Sequence, residues 1–268
     1  MDDFDHARRF GGVGRLYGDA TAQRFAAARV CVVGVGGVGS WAAEALARSA
    51  VGEITLIDLD MIAESNTNRQ IHALGDAYGM AKVDAMRARL LAINPGATVH
   101  AIEDFVSVDN LDLMLAGHDI VLDAIDNVGV KVAMAAWCHA NGMPLVMCGG
   151  AGGKSDPTRL QVADLSSTEQ DPLLAKVRSR LRKEHAFPKP GKGRTARFGI
   201  EAVYSSEPVQ TPDVCAAGEG PQGLSCAGYG SSVVVTATAG LLAASRVLHR
   251  LAQGTPSPIA VEPAHALA

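Results

Sequence analysis

Between an apolar run at Arg29–Val33 and an alanine-rich stretch that reaches about Ser49, the sequence sets glycine at positions 34, 36, 37 and 39, in GVGGVG. Without side chains there, the backbone can turn tightly and approach another backbone or a phosphate. A strand that feeds such a turn and opens a helix aims free N–H groups at an anion, so the predicted site takes a nucleotide or dinucleotide. A second strand at Glu53–Ile57 ends at Asp58 and Asp60. Strand, turn, helix, strand is the opening of a parallel α/β sheet.

The alternation continues for the first 150 residues or so. A helix is predicted near Ala81–Ile93, where Val83, Met86, Leu90 and Ile93 share a face and Asn94-Pro95-Gly96 supplies the stop. Ala97–Ile102 reads as strand, Val108–Leu115 as helix, Asp119–Ala124 as a buried strand, Val128–Asn141 as helix and Leu145–Cys148 as strand. The expected fold class is α/β: a Rossmann-like, mostly parallel sheet with helices on both faces, extended by a C-terminal strand and helix region. After Gly149–Gly153 the pattern loosens. Asp171–Arg182 reads as helix, His185–Gly193 as a mobile crossing loop, Thr195–Ser205 as extended and Thr211–Ser232 as turn-rich, ahead of an apolar C-terminal helix. The division expected is an N-terminal arm and helix over 1–28, a nucleotide-binding core over 29–153, its continuation with the basic crossing loop over 154–254, and a flexible tail over 255–268.

The formal charge of -4 conceals an uneven distribution, because 9 of the 24 basic residues fall between Lys176 and Arg197, with Glu184 the one acid among them. Arg178, Arg180, Arg182, Lys183, Lys189, Lys192 and Arg194 are the candidates for contacting an RNA backbone; a solvated charge run is the alternative. Cys31, Cys138, Cys148, Cys215 and Cys226 form no CxxC pair, and no apolar targeting stretch marks the N-terminus, which suggests reduced thiols in a cytoplasmic protein. Gly220–Ser245 carries no charge, but its strongly apolar part, Val233–Ala244, is shorter than the ~20 residues a membrane span needs. No stable membrane association is expected.

The chemistry is carried by residues grouped around the glycine turn. Asp58 lies at the strand end where a carboxylate accepts from ribose hydroxyls, and Asp60 either helps it, caps the next turn or faces water. These features alone would favour an NAD-dependent oxidoreductase. NTNRQ at 66–70 and Lys82 shift the balance, because two cations, Arg69 and Lys82, suit a triphosphate better than a pyrophosphate already met by backbone dipoles. Asn66 and Gln70 orient phosphate or close the loop. In VLDAIDN, Asp126 follows a buried strand and is the candidate magnesium ligand, with Asp123 supporting it or holding a loop, and Asn127 is grouped with the nucleotide-binding residues.

In this order, RFGG, RLYG, VVGVGGVGSWAAEALARS, ITLIDLD, NTNRQIHAL, GMAKVDAM, INP, VLDAIDN, GGAGG, DPTRLQVADL and QDPL make a set that resembles the ubiquitin-activating-enzyme-like adenylating family, and within it the tRNA threonylcarbamoyladenosine dehydratase branch. The likeness covers nearly the whole chain and is most specific from Arg9 to Gly153. It implies that Gly37 approaches ATP, Asp58 holds the ribose, Asn66, Arg69 and Lys82 surround the phosphates, and Asp126 binds magnesium. It also implies modified tRNA as substrate and a homodimer in which an N-terminal arginine, Arg9 or Arg15, reaches the neighbouring site. A monovalent cation and a sulfur-relay protein are further candidates for cofactor and partner. The alternative is adenylation of the C-terminal carboxylate of a small sulfur-carrier protein. Relatives of that kind often carry two CxxC zinc pairs, which this sequence lacks.

Overall fold

In a computed structural model of the chain, residues 4–189, 197–210 and 229–254 are described here. The first strand, β1 (Arg29–Val33), alternates its side chains between two cores, with Val30 and Val32 in one and Cys31 and Val33 in the other. This double burial is what a continuous apolar run dictates for a central parallel strand. Around β1 lie β2 (Glu53–Ile57), β3 (Thr98–Ile102), β4 (Ile120–Asp123), β5 (Leu145–Cys148), β6 (Leu160–Asp164) and β7 (Glu201–Ser205). They form one seven-stranded sheet in the order β3-β2-β1-β4-β5-β7-β6, parallel except for the antiparallel edge pair β6–β7.

The order reverses direction between β1 and β4, whose register places Val33 opposite Asp123. A crevice therefore opens where the loops leaving these strands diverge, the usual place for a ligand in an open α/β sheet. One face is covered by α2 (Asp19–Ala27), α3 (Gly39–Arg48), α4 (Lys82–Ile93) and α8 (Val233–Gln253). The other is covered by α5 (Leu111–Leu115), α6 (Val128–Ala140) and α7 (Pro172–Glu184). α8 crosses α3 so closely that a Cβ on Gly240 would lie 2.4 Å from the Val38 carbonyl oxygen. No described helix is long and apolar enough to cross a membrane.

Three elements depart from the reading above. The N-terminal segment is two helices, α1 (His6–Tyr17) and α2, broken at Gly18 with φ +83°; Gly11, Gly12 and Gly14 inside α1 disguise it, because glycine is a weak helix former. The helix expected from Val108 begins at Leu111. β6 went unread because it is a half-buried edge strand with little apolar alternation, made a strand by its pairing with β7. The basic residues Arg178–Lys183 lie on α7, ahead of the segment expected as a crossing loop. Residues 190–196 and 211–228, with Lys192, Arg194, Cys215 and Cys226, fall outside the described residues, as does the tail expected at 255–268.

Candidate active site

β1 delivers the chain into the crevice at Gly34, which takes φ +88°. A Cβ there would sit 3.0 Å from the Ala124 backbone, and one at Gly39 would fall 1.8 Å from the Gly34 carbonyl oxygen. Both positions therefore require glycine for the turn itself. Gly36 and Gly37 serve a different need, since they line a cavity, and a Cβ on Gly37 would press within 3.1 Å of Arg69 Cγ.

The carboxylate at the end of β2 fastens this turn. Asp58 Oδ2 accepts from the Val35 N–H at 2.7 Å and Oδ1 accepts from the Asp60 N–H at 3.0 Å. Lys82, the first residue of α4, is buried and donates to Asp60 Oδ2 at 2.6 Å, with its Nζ 3.8 Å from Asp58 Oδ1. An ammonium is thus held ready at the cavity wall by two carboxylates. Arg69 lays its stem across Gly37 while its guanidinium donates to the Ser65 carbonyl and to Asn68 Oδ1; its own carbonyl accepts from the Trp41 indole. Gln70 lines the same cavity, and its buried Oε1 has no partner among the described residues. Asn66 turns inward: its Oδ1 accepts from the Ala63 N–H and closes the loop.

From β4 comes the opposite wall. Asp126 is exposed at the cavity, whereas Asn127 caps α6 by accepting from the Val130 N–H at 3.1 Å. Asp123 is sealed below, paired with Lys131 at 2.9 Å, and both side chains are 0% exposed. Burial pushes the Asp123 carboxyl up, against the pull of the Lys131 ammonium.

Two chambers meet at Asp60, Ile125 and Asp126. One, of about 260 Å³, is lined by Gly36, Gly37, Arg69, Gln70 and Lys82 together with Gly149, Gly150 and Thr236. The other, of about 370 Å³, combines Asp58 with apolar walls at Leu59, Phe105, Val106 and Val130. A chamber that sets two cations and glycine backbone against Asp60 and Asp126, joined to one where apolar walls stand beside the carboxylates of Asp58 and Asp104, offers phosphate, ribose and base separate surroundings. Larger open clefts of about 650 and 680 Å³ lie elsewhere, so size does not select the site. Leu59, Phe105, Val106, Thr236 and Lys131 were not singled out from the sequence; only the lone charge of Lys131 inside the apolar run VGVKVAMAA could have signalled that residue.

The pattern of the ThiF family matches residues 12–264. The chain belongs to the ThiF family. Among relatives of this ThiF-family chain, the tRNA threonylcarbamoyladenosine dehydratase of Escherichia coli is 49% identical over 91% of this chain and 93% of its own length. The Haemophilus influenzae protein of the same name is 46% identical over 92% and 94%. The crystal structure of the E. coli dehydratase in complex with ATP superposes with a TM-score of 0.82 at 47% identity, covering 91% of this chain and 94% of that one. The same enzyme has been solved with AMP, again with a TM-score of 0.82.

Of the basic residues singled out in this ThiF-family chain, Arg178, Arg182, Lys183 and Lys189 line one open cleft on α7. Arg180 instead pairs with Glu184 at 2.9 Å. Arg9 donates to the Ala92 and Ile93 carbonyls at the end of α4, whereas Arg15 is exposed.

The loop that carries Arg69 and Gln70 also buries His72, and neither ring nitrogen has a partner among the described residues. Burial, then the charges of Lys82 and Arg89, lower its pKa from 6.5 to about 4. The unfolded chain therefore takes up a proton that the fold refuses as pH falls below 6.5. The associated stability is present above that pH and lost on the way to about 4. Urea unfolding at pH 7.5 and pH 5 should differ by about 2 kcal/mol less in His72→Phe than in the unaltered chain. An unchanged difference would mean that His72 ionises normally in the fold.

Proposed function

We infer that the chain is an ATP-dependent tRNA threonylcarbamoyladenosine dehydratase, which adenylates the threonylcarbamoyl carboxylate of the modified adenosine at tRNA position 37 and promotes cyclisation with release of AMP and pyrophosphate. The observation that carries this reading is the pair of joined chambers at the sheet's switch point, one holding the glycine turn with Arg69 and Lys82 and the other Asp58 beside apolar walls, in a fold whose relative has been solved with ATP and with AMP.

A free carboxylate expels a poor leaving group, and adenylation removes that obstacle. A carboxylate oxygen bonds to the α-phosphorus of ATP as the bond to pyrophosphate breaks. Attack on the acyl carbon from within the modification then closes a ring and expels AMP, which keeps the carboxylate oxygen, so the base has lost one water. Backbone N–H groups at Gly36 and Gly37 would meet the phosphates, in a turn shaped by Gly34, whose own N–H donates to the Ile57 carbonyl, and by Gly39, while Arg69 and Lys82 stabilise charge that grows on the phosphates. Asp58 and Asp60 stand where the ribose would lie, and Gln70 offers its amide to the phosphate chamber. No side chain needs to act as a covalent nucleophile.

Magnesium would be held by Asp126 together with the ATP phosphates, where it would neutralise phosphate charge. The donor set fits, because the Asp126 carboxylate stands exposed at the mouth of the chamber that the glycine turn and Lys82 line. Magnesium commonly uses one or two protein carboxylates and takes its other ligands from phosphate and water. We further propose a homodimer in which Arg15, rather than the engaged Arg9, reaches the neighbouring site. The buried thiols Cys31, Cys138 and Cys148 suit a reducing, cytoplasmic setting.

The deciding experiment is mass spectrometry of tRNA bearing the modification after incubation with the chain, ATP and magnesium. The hypermodified adenosine should lose the mass of one water. Retained mass, with adenylation of a carrier protein ending in Gly-Gly, would move the activity to sulfur-carrier activation.

A further inference from the structure

Two clefts outside the nucleotide chambers share one chemistry. The first is the open cleft on α7, about 680 Å³, which has no acidic residue among its lining. α7 buries Leu173, Leu174, Val177 and Leu181, and Arg178 and Arg182, one turn apart, lie half-buried along the flank of that face, where they line the cleft. They stand close enough to repel: burial first, then the charge of Arg182, lowers the pKa of Arg178. Arg178 donates to Thr168 Oγ1 and Arg182 to the Pro188 carbonyl, which fixes both groups at the cleft and leaves their remaining N–H donors to it.

The second cleft, about 410 Å³, lies at the end of the sheet remote from the glycine turn, where β6 finishes and β7 starts. Its basic lining is Arg197, Arg246 and Arg250. Asp164 already accepts from the backbone N–H groups of Ser166, Phe198 and Gly199. Glu201 is shared by Arg246 at 2.9 Å and Arg250 at 3.5 Å. Three guanidinium groups thus face two carboxylates, Asp164 held by backbone N–H groups and Glu201 held by Arg246 and Arg250, which leaves an excess of one positive charge.

The clefts touch. The Arg182 guanidinium carbon lies 5.1 Å from the centre of the Phe198 ring, and the neighbours of Phe198, Arg197 and Gly199, line the second cleft. The first cleft in turn points back to the nucleotide site, because Leu173 lines the phosphate chamber and Asp171, which caps α7, accepts from the Gly150 N–H. At ~1.5 Å per residue, Arg182 stands about 14 Å along the helix from Leu173.

We infer that the band running from Arg178 and Arg182 on α7, across Phe198, to Arg197, Arg246 and Arg250 is the track for the tRNA phosphate backbone, with the modified base at the α7 N-terminus and the stem leading away along the helix. The inference rests on the dehydratase reading, which makes tRNA the polyanion that must reach the nucleotide site. Double-stranded RNA is held mostly through its phosphates and shape, and each phosphate met by a cation releases counterions. A band of guanidinium groups drawn from α7, α8 and the segment before β7 provides such contacts without reading sequence.

The test is Arg197→Gln with Arg250→Gln, which leaves the Arg246–Glu201 pair in place. Binding of the modified tRNA is followed by fluorescence anisotropy across a salt series, and ATP binding is measured separately. Affinity for tRNA should fall about tenfold near 0.1 M salt, and the slope of log affinity against log salt should lose about 1.5 in magnitude. ATP affinity and Tm should stay unchanged. An unaltered salt slope in the double variant, alongside normal dehydration of tRNA by the unaltered chain, would overturn the track and leave the dehydratase reading standing. Equal competition by poly-glutamate would assign the band to an acidic protein and overturn it as well. If the unaltered chain neither binds nor dehydrates tRNA, the functional reading falls first.

Discussion

Lys82→Ala is expected to slow pyrophosphate release in a single turnover by about a hundred- to a thousandfold, with the chain still folded. The size follows from how the ammonium is held. It is buried, 2.6 Å from Asp60 Oδ2 and 3.8 Å from Asp58 Oδ1, so its place at the chamber wall is fixed before any phosphate arrives. A positioned cation loses no orientation freedom as charge grows on the departing pyrophosphate. Its removal does more than delete one charge-assisted contact, since it leaves two carboxylates facing a polyanion with nothing between them. Folding should survive, because the position is the first residue of α4 and alanine is a strong helix former. Asp126→Ala should slow the same step and raise the magnesium concentration required. Normal pyrophosphate release in both variants would remove Lys82 and Asp126 from the catalytic centre.

The positions of these residues differ in how far the sequence could reveal them. GVGGVG was legible because Gly34 needs a positive φ and Gly39 meets another backbone at a distance no side chain tolerates; such demands leave glycine as the residue of choice. That Lys82 would stand near the turn was legible from its place at the start of a periodic helix that follows Asp58 and NTNRQ. Asn66 offered two readings, and the fold shows its Oδ1 closing its own turn. The walls at Leu59, Phe105 and Val106 come from loops beyond β2 and β3, where no periodicity marks which side chains will converge. The band reaching Arg246 and Arg250 was invisible for a related reason. It joins α7 to α8 through a residue just ahead of β7, and only the pairing of β5, β7 and β6 sets these segments side by side.

Lys131→Met should destabilise the fold by about 3–5 kcal/mol, because it strands a buried carboxylate. For a chain of this size each kcal/mol lowers Tm by roughly 2–4 °C, so a fall of roughly 6–20 °C is expected by calorimetry. Lys131 Nζ donates to Asp123 Oδ1 at 2.9 Å and to the Cys148 carbonyl at 2.8 Å, tying α6 to the ends of β4 and β5. The Ile125 N–H also donates to Asp123 Oδ1, at 3.2 Å, while Asp123 Oδ2 has no partner among the described residues. Asp123→Leu with Lys131→Met removes both charges, and because a buried pair gains little over apolar residues of similar volume, most of the lost stability should return. ATP affinity should recover less fully, since Ala124, Ile125 and Asp126 line the phosphate chamber immediately beyond Asp123 and lose the Asp123–Ile125 hydrogen bond that fixes their path. Recovery of Tm without recovery of ATP affinity would separate the two duties of the pair. A single variant that costs less than about 1 kcal/mol would show that protonation of Asp123, water or movement relieves the stranded charge, and that the ion pair does not set the floor of the site.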